Sequence, residues 1–75
     1  MNNEQITAIL KQIPNLTTLE VTGDGYHFQI KLVGDVFAGK NTLARQRYVY
    51  QFLKDYIADG SLHAVEIKAL TTQEV

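Results

Sequence analysis

Two short segments in which apolar and polar residues alternate flank the tripeptide Gly23-Asp24-Gly25. The segment TLEVT (18–22) precedes the tripeptide, and YHFQIKLV (26–33) follows it. Alternation with a period of two is typical of a strand with one buried face, and glycine adopts the positive φ angles of tight turns. The sequence therefore predicts a β-hairpin whose inward side chains are Leu19, Val21, Phe28, Ile30 and Leu32.

A helix is expected on the N-terminal side of the hairpin. Four apolar residues recur there at the i, i+3, i+4, i+7 spacing of one helical face: Ile6, Ile9, Leu10 and Ile13. Asn2 or Asn3 can cap the start of this helix. Pro14 is expected to end it, because a proline disfavours helical geometry in the residue before it.

A longer helix is expected after the hairpin. Segment 34–40 fits a loop or a single helical turn, and Asn41 can cap a helix that runs from about Thr42 to Ala58. Gly60 suits the left-handed position just past the end of that helix. The predicted apolar stripe of the helix is wide and contains Leu43, Val49, Tyr50, Phe52, Leu53, Tyr56 and Ile57.

The last alternating segment, SLHAVEIKAL (61–70), predicts a third strand, and TTQEV (71–75) can begin a short terminal helix. The element order is therefore α-β-β-α-β. When two strands of one sheet are connected through a helix, they usually run parallel and the connection is a right-handed crossover. The sequence thus predicts a single α+β domain, residues 1–75, with two layers and a three-stranded mixed sheet.

Composition and charge narrow the range of functions. The chain has no cysteine, which excludes disulfides and thiolate nucleophiles and favours a reducing compartment. The formal net charge is −1. This charge is too balanced for a protein whose affinity for nucleic acid depends on neutralising phosphates, although a local basic patch remains open. The N-terminus does not resemble a leader peptide, and no run approaches the ~20 apolar residues of a membrane span. We therefore expect a cytoplasmic protein without membrane contact.

An enzymatic role is not expected. So small a domain has little room for a deep substrate pocket, and the chain has no P-loop and no GxGxxG phosphate-binding motif. Ser61 shares a face with His63, but a serine and a histidine without an orienting carboxylate do not make a catalytic triad.

His63 occupies an unusual position in the last strand. Counted by twos, His63 lies on the same side as Ile67, so we expect it on the apolar face. Parallel pairing would place His27 and His63 at the same end of the sheet but on opposite faces, so we do not expect them to bind one ion together. The residues alone leave a structural or solvated role for His63 open.

A modest basic cluster surrounds the start of the long helix and consists of Lys40, Arg45 and Arg47. Cations are slightly unfavourable at that end of a helix because its dipole is positive there. The cluster fits solvated surface, and it also fits contact with an acidic partner or with the phosphates of a nucleic acid.

Three motifs in this order resemble the BolA-like family, and most closely its bacterial IbaG (YrbA)-like branch. They are His27-Phe28, Phe37-x-Gly39 with Arg45 six residues later, and Leu62-His63-Ala64. The resemblance extends from about residue 4 to residue 74. It implies a fold similar to a class II KH domain, with a short terminal helix, in agreement with the element order given above.

The resemblance also implies a function. BolA-like proteins pair with monothiol glutaredoxins and take part in iron–sulfur cluster handling and iron homeostasis. A bridging [2Fe-2S] cluster is held by the glutaredoxin cysteine, by glutathione and by the histidine that matches His63, and no cofactor is expected in the isolated chain. For this role we expect a hydrogen bond from a neighbouring group to fix the tautomer of His63.

Other family members are described as DNA-binding transcriptional regulators of stress and morphology. For that alternative the candidate contacts are Lys40, Arg45 and Arg47, and a weak homodimer is a further candidate assembly. Departures from the family pattern are visible in the hairpin turn and in the long helix. The hairpin turn is short, so the ligand that many members carry there has no clear counterpart, and the nearest imidazole, His27, matches the strand-head position instead. Gln46 stands where many members have a histidine between two arginines.

Overall fold

The computed structural model describes residues 1–75, and its elements follow the predicted order. They are α1 (Asn3–Leu10), β1 (Leu16–Gly23), β2 (His27–Gly34), a 3₁₀ turn (Asp35–Phe37), α2 (Thr42–Ala58) and β3 (Ala64–Leu70). β1 pairs with β2 in antiparallel fashion, and β2 pairs with β3 in parallel. Buried residues of both helices share one core with the inward residues of the sheet. The predicted two-layer α+β fold is therefore confirmed.

Both helices begin at asparagine caps. The side chain of Asn2 accepts a hydrogen bond from the backbone N–H of Gln5 at 2.8 Å, and Asn41 accepts one from Ala44 at 2.9 Å. α2 consequently has the predicted bounds. α1 ends at Leu10, earlier than the predicted stop at Pro14, because its last turn tightens into i→i+3 bonds such as Ile13 N–H to Leu10 at 3.1 Å.

The core lies between the helices and the sheet. The predicted inward residues of β2 are all buried, as are Val49 and Leu53 of α2. The apolar stripe predicted for α2 was too wide, since Leu43, Tyr50 and Ile57 are exposed. A helix in a two-layer fold is covered on one side only, and these three side chains lie beside the covered side that Val49 and Leu53 form.

β3 begins at Ala64, one residue later than the histidine that was predicted to lie on its apolar face. Leu62 is buried and His63 is exposed, so that prediction was wrong. The strand ladder starts with the pair His27 and Ala64. Residue 63 therefore lies outside the ladder, where counting by twos no longer indicates which face a side chain occupies.

Residues 71–75 form a turn and not the predicted terminal helix. The backbone N–H of Glu74 donates to Thr71 O at 3.1 Å, and the carboxylate of Glu74 accepts from the backbone N–H of Thr71 at 2.7 Å. Neither helix of the chain has the length and the apolar character that crossing a membrane requires.

Candidate functional site

Three exposed rings meet at the end of the sheet where β2 and β3 begin, and we call Tyr26, His27 and His63 the ring cluster. The Tyr26 ring stacks on His63 with a centroid distance of 4.9 Å and an interplanar angle of 21°. The same ring meets His27 edge-on at 4.8 Å and 71°. The parallel crossover thus brings both histidines to one end of the sheet, as predicted, and places a tyrosine in contact with each.

The turn of the hairpin holds Tyr26 in this position. The carboxylate of Asp24 accepts hydrogen bonds from the backbone N–H groups of Tyr26 and His27, each at 2.9 Å. These bonds, that to His27 first, lower the pKa of Asp24 below its usual value. On the other side, the carbonyl of Tyr26 accepts from the N–H of Ala64 at 3.3 Å, which ties the turn to the start of β3.

Tyr26 is the functional-site residue that sequence reasoning missed. Its side chain is 56% exposed, which is a high fraction for a large aromatic residue. The available indication of its role in the sequence was its position directly before His27, the first residue of β2. Its partner across the crossover, His63, is far away in sequence, so the contact could not be read from local patterns.

His63 is oriented by stacking. The hydrogen bond that we expected to fix its tautomer is not formed, and the ring contact of His63 is the face of Tyr26. The imidazole is exposed and lies one residue before the ladder of β3 begins. Aromatic stacking fixes the plane of a ring without consuming either ring nitrogen. Both nitrogens of His63 therefore stay available as donors, acceptors or ligands.

The ring cluster can supply a ligand to a metal but does not enclose one. No three histidine, aspartate or glutamate side chains converge on a point where they could hold a metal ion. The chain also contains no cysteine. Any metal or cluster bound through His63 therefore requires further ligands from another molecule.

The three predicted basic contacts differ in their surroundings. The guanidinium of Arg45 donates to Lys40 O at 2.8 Å and pairs in bidentate fashion with Glu74 at 2.7 and 3.2 Å. Lys40 Nζ donates to Val36 O at 2.8 Å and lies 5.2 Å from the centroid of the Tyr48 ring. Arg47 is exposed. Arg45 and Lys40 are thus engaged within the fold, and Arg47 is the cation that the predicted cluster presents to solvent.

Arg45 belongs to a set of three α2 side chains that covers the edge of β3. We call Arg45, Gln46 and Tyr50 the covering row. Three side chains donate hydrogen bonds to alternate carbonyls of this strand: Tyr50 to Val65 at 3.5 Å, Gln46 to Ile67 at 2.8 Å, and Arg45 to Ala69 at 3.1 Å. β3 has a neighbouring strand on one side only, so these carbonyls lie on its open edge. The row satisfies acceptors that would otherwise be free to pair with another strand.

The fold and the ring cluster define a class of protein: a small α-β-β-α-β domain with a histidine at the head of its parallel strand. The sequence model of the family described as "BolA-like protein" matches residues 7–74. The chain therefore belongs to the BolA-like family, as its motifs predicted.

Individual relatives agree with this assignment. The chain is 43% identical over 74 residues to "Acid stress protein IbaG" of Escherichia coli (strain K12), which covers 99% of this chain and 88% of that protein. The solved BolA domain of SufE1 from Arabidopsis thaliana superposes with a TM-score of 0.85 at 30% identity, covering 97% of this chain and 94% of that one. Yeast Fra2 superposes with a TM-score of 0.78 at 30% identity, covering 99% and 83%.

Proposed function

We propose that this chain is a non-enzymatic adaptor that pairs with a monothiol glutaredoxin and offers His63 as a ligand to a [2Fe-2S] cluster. Glutathione and the glutaredoxin supply the other ligands, and the role belongs to iron–sulfur cluster assembly or trafficking and to iron homeostasis. The observation that carries the proposal is the placement of His63, which is exposed at the end of the sheet and held by the face of Tyr26.

The chemistry of this residue set fits a shared cluster. Imidazole is an established iron–sulfur ligand, and it raises the reduction potential relative to an all-thiolate site. Because the chain has no cysteine, every thiolate must come from the partner or from glutathione. A cluster bound at the boundary of two molecules is cargo that either of them can release. An exposed ligand also needs no opening of the core to reach that cargo.

His27 is the second imidazole at this end of the sheet, and it contacts the edge of the same tyrosine. We assign it a packing role beside Tyr26 and not a ligand role, because it pairs within the ladder and lies on the side of the sheet opposite the core. His27→Ala is consequently the matched control for His63→Ala. Both variants remove one exposed imidazole from the same site.

The test is to mix the protein with a monothiol glutaredoxin that carries its glutathione-bound cluster and to record the visible absorption and circular dichroism spectra. Wild type and His27→Ala should change the spectrum in the same way. His63→Ala should leave the spectrum of the glutaredoxin unchanged. An unchanged spectrum with wild type, or the wild-type change with His63→Ala, would exclude His63 as a cluster ligand.

The alternative of a DNA-binding regulator has weaker support. Arg45 is paired with Glu74, Lys40 is bonded to the backbone, and the formal net charge is −1. An affinity for duplex DNA that falls steeply with salt and is lost in Arg47→Ala would favour this alternative.

A further inference from the structure

Three of the five large apolar side chains that the fold leaves exposed lie on α2 at intervals of seven residues. They are Leu43, Tyr50 and Ile57, with 57%, 36% and 37% of their surface accessible. Seven residues make about two turns of an α-helix, so these side chains lie in one row. The row lies beside the buried side of the helix, which is formed by Val49 and Leu53, and it borders the edge of β3, where the Tyr50 hydroxyl donates to Val65 O at 3.5 Å.

Two cations lie within this row. Arg47 and Lys54 are four residues after Leu43 and Tyr50, respectively, and share the same side of the helix. Both are exposed, and neither takes part in the single ion pair of the chain, which joins Arg45 to Glu74. We call these five residues (Leu43, Arg47, Tyr50, Lys54, Ile57) the outer stripe. The outer stripe contains no carboxylate.

We infer that the outer stripe is a docking surface for an acidic amphipathic helix of another protein. Apolar anchors at intervals of seven residues match the spacing with which a second helix presents its own apolar row. Arg47 and Lys54 would lie beside the carboxylates that flank that row. The anchors extend over about 21 Å of helix, which suits a small and reversible interface. This inference does not depend on the cluster site, because it rests on a different element.

The charges of the outer stripe argue against a second copy of this chain as the occupant. In an antiparallel arrangement about Tyr50, Arg47 of one copy would face Lys54 of the other. A parallel arrangement would place each cation beside its own equivalent. Both put like charges together in the middle of a small apolar contact, which is unfavourable. A partner with carboxylates at those places turns the same positions into attractive contacts.

The experiment uses two fluorescein-labelled synthetic peptides of three heptads each, both with leucine at the a and d positions. One peptide has glutamate and the other lysine at the e and g positions. Anisotropy at low ionic strength measures their binding to the full chain. We expect the acidic peptide to bind wild type at least about tenfold more tightly than the basic peptide, from two attractive pairs in place of two repulsive ones.

The variant Arg47→Glu with Lys54→Glu should reverse this preference. Its matched control is Lys11→Glu with Lys68→Glu, which changes two exposed lysines away from the outer stripe and gives the same net charge. The control should keep the wild-type preference, and circular dichroism should confirm that both variants are folded. Leu43→Ser should weaken binding of the acidic peptide without changing which peptide is preferred.

The inference is overturned if wild type binds neither peptide, binds both equally, or loses its preference in the control variant. Binding to phosphatidylglycerol vesicles that is lost in the Arg47→Glu, Lys54→Glu variant would assign the outer stripe to a membrane surface and also overturn it. Self-association of wild type that Arg47→Glu with Lys54→Glu abolishes would do the same in favour of a dimer.

Discussion

Tyr26 is the residue on which the geometry of the proposed ligand depends. Its backbone is fixed by Asp24 on one side and by Ala64 on the other, while its ring covers one face of His63. A side chain that orients an imidazole through stacking leaves both of its nitrogens available, which suits the proposed role of His63 as a cluster ligand. Tyr26 is thus a positioning residue for His63.

Replacing Tyr26 tests this role without any cluster present. In Tyr26→Ala, the side-chain proton resonances of His63 should lose the ring-current shift caused by the stacked tyrosine and move toward the values of an unstructured histidine. Tyr26→Phe keeps an aromatic face and should retain most of the shift. The free energy of unfolding should fall by less than about 1 kcal/mol in either variant, because the contact is exposed. His63 resonances that do not move in Tyr26→Ala would refute the stacking role.

At the scale of single elements, α2 both supports the core and covers the edge of β3. Gln46 is the clearest member of the covering row, since it donates to Ile67 O at 2.8 Å from a half-buried position. An edge strand with unpaired carbonyls is a site for unwanted pairing between molecules. Gln46, which stands between two arginines in the sequence, therefore has a structural role in covering this edge.

Gln46→Ala should lower the free energy of unfolding by about 0.5–1.5 kcal/mol, the net contribution of one hydrogen bond. Chemical denaturation measures the loss. Gln51→Ala, which removes an exposed glutamine of the same helix, is the control and should change stability by less than about 0.5 kcal/mol. Equal effects of the two substitutions would show that the bond to Ile67 adds nothing to stability.

The elements also show how far local sequence information extends. The bounds of α2, the phases of the hairpin strands and the parallel crossover were predictable, because asparagine caps, Gly60 and alternation are local signals. The face of His63 was predicted wrongly, because alternation was counted past the first paired residue of β3. The contact with Tyr26 was not predictable, since it joins two segments that only the crossover brings together.

The C-terminal segment illustrates the same limit. Residues 71–75 were expected to begin a helix, but Glu74 instead reaches Arg45, which is 29 positions earlier in the chain. The Arg45 side chain, followed by the backbone N–H of Thr71, lowers the pKa of Glu74 from its ordinary 4.5 to about 2. No local pattern indicates an ion pair between a helix and a tail. Glu74 takes part both in this pair and in the hydrogen bonds that close the turn.

This ion pair predicts how stability depends on pH. Because folding lowers the pKa of Glu74, the ionised carboxylate stabilises the folded state fully above pH 4.5, and this contribution is lost as the pH falls toward 2. The melting temperature of wild type should therefore exceed that of Glu74→Gln at pH 6, and the two should converge near pH 2. Glu66→Gln, an exposed residue of β3, is the control and should follow wild type. A gap for Glu74→Gln that is constant from pH 6 to pH 2 would contradict the ion pair.

On the scale of the whole molecule, the fold separates two surfaces. The ring cluster lies at the end of the sheet where β2 and β3 begin, and the outer stripe lies on an exposed flank of α2 beside the edge of β3. Neither surface contributes to the core, so each can be altered while the fold is kept. His63→Ala in particular should change the free energy of unfolding by less than about 1 kcal/mol, because His63 is exposed and its only ring contact is with Tyr26. A loss of function in that variant would then reflect the missing ligand.

The most direct test of the account is a measurement of whether a histidine nitrogen of this chain binds the cluster. The protein is labelled with ¹⁵N-histidine and mixed with an unlabelled monothiol glutaredoxin that carries its cluster, and the reduced cluster is studied by pulsed electron paramagnetic resonance. The chain has only two histidines, so the His27→Ala variant contains His63 as its sole labelled residue. The account predicts a strong ¹⁵N hyperfine coupling in wild type and in His27→Ala, and none in His63→Ala. Absence of the coupling in wild type, or its persistence in His63→Ala, would contradict it.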